Sequence, residues 1–242
     1  MIRIMETNVT SPLQPWLDGR VPNGYWSKRD NRVTYIEWLG ERIGFVRIDH
    51  WYQIRNRHFR DNCGGALLNK IYNSSVLHAM QDFRPDYNWL PWLFGRTPSG
   101  FWTKLENRVC YMQWLEQRLQ IARHEDWYQH DETVFRNSGG AGLFSNHYVG
   151  SMLSALRDYR PDIEWIPWLF RKVPNGFWES SKNRQKYTEW RARHLRIRRD
   201  ADLTRLTRQV VRETRGDYLL NQYYRGSMSA FKSEFRTLAS SS

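Results

Sequence analysis

Ten arginines fall between residues 184 and 215, and over the whole chain arginine outnumbers lysine by 30 to 7. The planar guanidinium forks onto phosphate and stacks on rings, whereas the lysine ammonium is a solvated point charge. Arg184, Arg191, Arg193, Arg196, Arg198, Arg199, Arg205 and Arg208 therefore make a candidate surface for a polyanion. A second basic set recurs just after a tryptophan. Lys28, Arg29 and Arg32 follow Trp26, Lys104 and Arg108 follow Trp102, and Lys182, Arg184 and Lys186 follow Trp178. A helix is expected to begin at each of these points, and its unpaired amides would add to the attraction for phosphate. Of the net charge of +12, residues 171–242 contribute +10, from 17 basic and 7 acidic side chains. The alternative use of so many arginines is internal, against the carboxylates and rings of their own fold.

Other chemistries find less to work with. The seven histidines are scattered, with no His-x-x-x-His or Cys-x-x-Cys pair to hold a metal. Glycines precede a helical stretch at Gly64-Gly65 and Gly139-Gly140, but no Gly-Lys-Ser/Thr follows to cradle a nucleotide phosphate. Asp49 with Glu125, and Asp82 with Asp158, read as helix caps and arginine partners and not as paired catalytic carboxylates. No catalytic residue, cofactor or metal is expected, and the protein reads as non-enzymatic. Met1 to Gln14 has no apolar core of signal-peptide length, and no run of about 18 apolar residues could span a membrane. Cys63 and Cys110 fall at unrelated repeat positions, so a disulfide scaffold is not expected. The expectation is a soluble intracellular protein in a reducing compartment, without membrane contact.

The basic residues recur because the chain does. Residues 19–94 and 95–170 align without a gap over 76 positions, 34 of them identical, and a third copy starts at Arg171. Trp26, Trp102 and Trp178 mark the period, as do Tyr35, Tyr111 and Tyr187, then Trp38, Trp114 and Trp190. Repeats mostly present a surface built copy by copy and seldom enclose one reaction centre.

Each copy opens on a Pro-x-Gly turn, such as Val21-Pro22-Asn23-Gly24, and an aromatic pair. Ser27 with Asp30 and Thr103 with Glu106 have the spacing of a capped helix start. Apolar residues then recur at i, i+3, i+4 and i+8, as Tyr35, Trp38, Leu39 and Ile43. A brief acidic-aromatic helix is expected at Asp49-His50-Trp51-Tyr52, a third helix after the glycines, and a fourth over Val76 to Phe83. Trp89 and Trp92, or Trp165 and Trp168, flank a proline in a segment expected to be an extended strap packing between modules. The predicted fold is all-α, with three tandem modules of about four short helices each, joined by Trp/Pro straps. The divisions are an N-terminal strap over 1–18, repeats over 19–94 and 95–170, and a divergent Arg-rich repeat over 171–242.

The tight break at Asn73-Ser74 resembles a helix-turn-helix, whose second helix would turn His78, Gln81 and Asp82, or Ser154, Arg157 and Asp158, outward. A recurring acid there would repel phosphate, which argues against sequence-specific reading. Rings that alternate with bases could stack on single strands if exposed, but at helical spacing they read first as core. Taken together, Gly-Tyr/Phe-Trp, Asn-Arg, Tyr-x-x-Trp-Leu, Asp-Trp-Tyr and Gly-Gly resemble Trp/Tyr-rich tandem repeats of about 75 residues. Such repeats occur in eukaryotic and large-virus proteins, sometimes beside nuclease-like segments, and the resemblance implies a nucleic-acid context.

The expected function is binding of RNA or DNA through backbone phosphates, with the third copy dominant. The alternative is an architectural subunit whose straps and arginines bind protein partners in a ribonucleoprotein particle or virion.

Overall fold

In the computed structural model the chain is all-helical, and the structure describes residues 14–239, with no strand among them. Of the N-terminal strap expected over 1–18, residues 1–13 lie outside the described residues. The chain divides into two compact units, 1–101 and 102–242. The first holds α1 (Arg29–Arg42), α2 (Asn56–Asp61), α3 (Gly65–Lys70) and α4 (Val76–Phe83). The second holds α5 (Leu105–Arg118), α6 (Thr133–Arg136) and α7 (Met152–Tyr159), then α8 (Ser181–His194), α9 (Arg208–Glu213), α10 (Asp217–Tyr224) and α11 (Met228–Ala239). The starts of α1, α5 and α8 are spaced by 76 residues, as are those of α4, α7 and α11.

One tyrosine organises the core of each copy. In the first unit Tyr35 is fully buried, edge-on to Trp16 at 5.3 Å and to Trp26 at 5.4 Å, with Phe59 at 6.0 Å. Its hydroxyl donates to the Asn62 carbonyl at 2.9 Å. In the second unit Tyr187 stands edge-on to Trp168 and Trp178 at 5.3 and 5.2 Å. Such edge-to-face pairs each add about 0.5–1.5 kcal/mol beyond the area they bury. The recurring glycine is explained by the same ring. A Cβ on Gly64, Gly140 or Gly216 would lie 2.0, 2.1 or 2.4 Å from the hydroxyl of Tyr35, Tyr111 or Tyr187. The glycines make room for a core ring and do not form a ligand loop.

Three local expectations are corrected. The straps are extended only in part: Leu90 and Ile166 have extended backbones, but Pro91–Phe94 and Pro167–Leu169 are short 3₁₀ turns, with proline at a first-turn position where no amide is needed. Trp16 and Trp168 are nevertheless buried, each against the first long helix of the copy that follows it. Ser27 does not cap α1. It belongs to a 3₁₀ turn over Tyr25–Ser27 and donates back to the Gly24 carbonyl at 2.5 Å, while Lys28 takes the cap position without a side-chain bond. Finally, α2, α6 and α9 add a helix to each copy. They are four to six residues long, and only Phe59, Phe135 or Val211 is buried on each, too little for a periodic signal.

Gly64→Ala should lower unfolding free energy by about 2–3 kcal/mol, because the overpacked methyl meets a ring fixed by its own hydrogen bond. Urea denaturation of the whole chain measures this, and a loss below 0.5 kcal/mol, roughly that of a neutral surface change, would contradict the assigned clash.

Candidate nucleic-acid interface

The structure separates the predicted basic residues into those turned inward and those left in water. Arg32 belongs to the first group. Its Nε and Nη2 donate to both carboxylate oxygens of Asp82 at 2.8 and 3.2 Å, and its Nη1 donates to the Trp26 and Ser27 carbonyls at 3.1 and 2.9 Å. Tyr72 donates to the same carboxylate at 2.6 Å. Arg108 repeats this with Asp158 at 2.6 and 3.2 Å, the carbonyls of Trp102 and Thr103 at 3.0 Å, and Tyr148 at 2.8 Å. Both arginines were expected on phosphate, and the structure instead turns each of their three nitrogens onto partners within the protein. Asp82 and Asp158 are arginine partners, as the recurring acids suggested, and not the outward positions that the helix-turn-helix comparison gave them.

Electrostatics follow the geometry. The Arg108 guanidinium holds the Asp158 carboxyl below its ordinary value, overcoming the opposing effect of burial. Burial, and then the hydrogen bond to Asp158, push the Tyr148 phenol up, so it remains a donor. The clasp of copy two thus pairs one positive with one negative charge, whereas in copy one Arg29 also lies 3.5 Å from the Asp82 carboxylate.

Copy three spends some of its arginines the same way. Arg184 donates to the Trp178 and Glu179 carbonyls at 2.7 and 2.8 Å, and its guanidinium lies 4.2 Å from the Tyr223 ring centroid. Arg191 stands where the other copies have Leu39 and Leu115 and is 3% exposed. It donates to the Val210 carbonyl at 2.7 Å and to the Thr214 hydroxyl, so its place in the expected phosphate surface is corrected as well. Arg205 donates to the carbonyls of Leu195 and Arg196 past the end of α8, both at 3.2 Å, and Arg208 to the Gly226 carbonyl at 2.5 Å. Arg199 lies 3.9 Å from Asp202 but keeps 80% of its side chain exposed.

Lys28, Lys104, Lys182, Lys186, Arg193, Arg196 and Arg198 are exposed. Among the described residues no carboxylate comes within 4.0 Å of Arg193, Arg196 or Arg198. Arg215 and Arg225, left out of the predicted set, share this state and are exposed. Arg196, Arg215 and Arg225 all have left-handed backbones, with φ of 53°, 57° and 50°. These are three corners of the repeat. Elsewhere the same corners carry Gly44 and Gln120, Cys63 and Gly139, Asn73 and Val149, all at positive φ. Only copy three fills every corner with arginine. The alignment of Arg225 with Asn73 and Val149 held the signal that would have found it.

Among the described residues no helix is long and apolar enough to cross a membrane, and Cys63 and Cys110 are exposed and unbridged. Comparison with family models, with curated proteins and with solved structures returns no match.

The depressed Asp158 carboxyl stabilises the fold above its ordinary pKa of 3.8 and ceases to do so as pH falls through the lower folded value. Asp158→Asn should therefore cost about 2 kcal/mol at pH 7 and make the acid-side decline of stability shallower than in the parent. Thermal unfolding from pH 7 to 2 measures both quantities, and parallel decline in the two proteins would remove the clasp from the account.

Proposed function

We propose that this chain is a non-enzymatic nucleic-acid-binding protein that holds RNA or DNA chiefly by backbone phosphates, through the exposed arginines of residues 171–242. We also propose, on the recurring motif, that it belongs with the Trp/Tyr-rich tandem repeats. The observation that carries the functional reading is the charge excess of residues 171–242, which hold +10 of the net +12. Copies one and two also expose arginines such as Arg57 and Arg157 but carry +4 and −1 overall, from 11 basic against 7 acidic and 8 basic against 9 acidic side chains. Arg193, Arg196, Arg198, Arg215 and Arg225, by contrast, gather in copy three without a carboxylate within 4.0 Å among the described residues. Like charges gathered on one segment repel one another, and a polyanion relieves that repulsion while releasing its own counterions. The three left-handed corners add force to this. An L-residue there costs roughly 1–2 kcal/mol relative to the right-handed region, and an exposed side chain returns none of it by packing.

Duplex and single-stranded probes should bind the whole chain with affinity that falls steeply with salt. Reversing Arg193, Arg196 and Arg198 to Glu should weaken binding by at least about tenfold and flatten the log-affinity against log-salt slope by about 2–3 for duplex DNA. Fluorescence anisotropy at several salt concentrations reads both. Salt-independent binding, or full affinity in the reversed protein, would sink the reading. A companion change, Arg196→Gly, should raise stability by about 1 kcal/mol while lowering affinity, because it relaxes the corner and removes the cation together.

A further inference from the structure

Copy three also differs from the other two around one cleft. In the second unit, residues 171–179 and the segment from Arg212 to Tyr218 enclose about 510 Å³, within the range of small-ligand clefts. Arg171, Lys172, Arg212 and Arg215 line it together with Tyr218, 57% exposed, and Phe177, and its acids are Glu179 and Asp217. Asp131 holds Arg171 at 2.6 Å and Asp217 holds Arg212 at 3.1 Å. Lys172 and Arg215 are left as exposed cations with no carboxylate within 4.0 Å among the described residues.

The repeat supplies its own control. One period earlier, Arg171, Arg215 and Tyr218 correspond to Gly95, Gly139 and Gly142, and two periods earlier to Gly19, Cys63 and Ala66. Three positions that carry almost no side chain elsewhere have gained two guanidiniums and a phenol ring around one cleft. The fold does not require Tyr218 or Arg215. Tyr218 lies mostly in solvent, unlike the core tyrosines, and Arg215 occupies a left-handed corner where glycine is easier.

An exposed ring beside unpaired cations is complementary to a nucleotide, with a π-face for the base and positive charge for the phosphate. Bases inside a duplex are already stacked and cannot present a face to the ring. We infer that this cleft is a subsite for one unpaired nucleotide of a single strand, with the base on Tyr218 and its phosphate near Arg215 and Lys172. The inference rests on the nucleic-acid reading above and adds to it a preference for single strands.

The experiment titrates the whole chain against a short labelled homopolymer, as RNA and as DNA, and against a duplex of equal length. Tyr218→Ala and Arg215→Gly restore residues that the other copies already carry, so both variants should keep the parent's circular dichroism. Tyr218→Ala is expected to weaken single-strand binding about tenfold and to leave the duplex unchanged, whereas Tyr218→Phe retains parental affinity. Arg215→Gly should weaken single-strand binding and flatten its salt dependence. The RNA and DNA strands share the stacking chemistry, and the one bound more tightly identifies the source of the nucleotide. Unchanged single-strand affinity in Tyr218→Ala, or equal losses for strand and duplex, would overturn the subsite while salt-sensitive binding by the parent left the broader reading intact. If the parent bound none of the three probes, both would fall.

Discussion

A guanidinium whose three nitrogens all donate within the fold is the constraint on which each of the first two copies depends. Arg32 and Asp82, like Arg108 and Asp158, are separated by 50 residues, yet each pair joins the first long helix of its copy to the last. One fork fixes the rotation of α4 or α7 through a bidentate carboxylate, while the remaining nitrogen gathers two carbonyls of the turn that enters α1 or α5. Tyr72 or Tyr148, in the turn before α4 or α7, completes the carboxylate. Buried ion pairs contribute little net stability over apolar replacements, because desolvation offsets attraction. What this one contributes is geometry. Three segments meet in a single arrangement that pairs both charges and both carbonyls, and other packings would leave a charge or a carbonyl unpaired.

Copy three relaxes that constraint and gains a different surface. Glu234 stands where Asp82 and Asp158 stood, one methylene longer, and Tyr224 lies beside it where Tyr72 and Tyr148 meet their aspartates. Arg184 keeps its two carbonyls but covers the Tyr223 ring, and Arg191 enters the core where leucine sat. The interior tolerates this because Arg191 finds the Val210 carbonyl and the Thr214 hydroxyl, so the buried cation is partly solvated by the protein itself. Arginine in this chain therefore has two uses. Near the aspartates and carbonyls of the clasp it is structural, and at the exposed corners and along the cleft it is available to a partner.

The sequence made the all-α class and the helix phases legible because both follow from spacing. Tyr35, Trp38, Leu39 and Ile43 mark one helical face, and their recurrence fixed α5 and α8 as well. What spacing could not show was the partner. The recurrence of Asp82 and Asp158 suggested an arginine, yet nothing local to α4 encodes which one, and the pair with Arg32 spans 50 residues. The short helices α2, α6 and α9 were invisible for a related reason: a single buried ring or valine has no period. At the candidate interface the charge excess was plain, but burial was not. Arg191 and Arg196 look alike in a run of basic residues, and only the fold reveals that one replaces a core leucine while the other sits on an exposed corner.

The corners explain how one copy could acquire binding residues without a change of fold. Each is closed by backbone hydrogen bonds that do not involve the side chain at the corner. Gly64, Gly140 and Gly216 donate to Phe59, Phe135 and Val211 at 2.7, 2.8 and 2.9 Å, and they do so whether the preceding residue is Cys63, Gly139 or Arg215. The left-handed conformation is thus imposed by the turn, and the residue placed there changes only its cost, by roughly 1–2 kcal/mol. Such a position is open to chemistry that the core is not. A core substitution must match volume and hydrogen bonding together, whereas a corner substitution need only be tolerated. Arginine at 196, 215 and 225 and the tyrosine at 218 lie outside the network that builds the module, so copy three can carry a cationic and aromatic surface on the same helical frame.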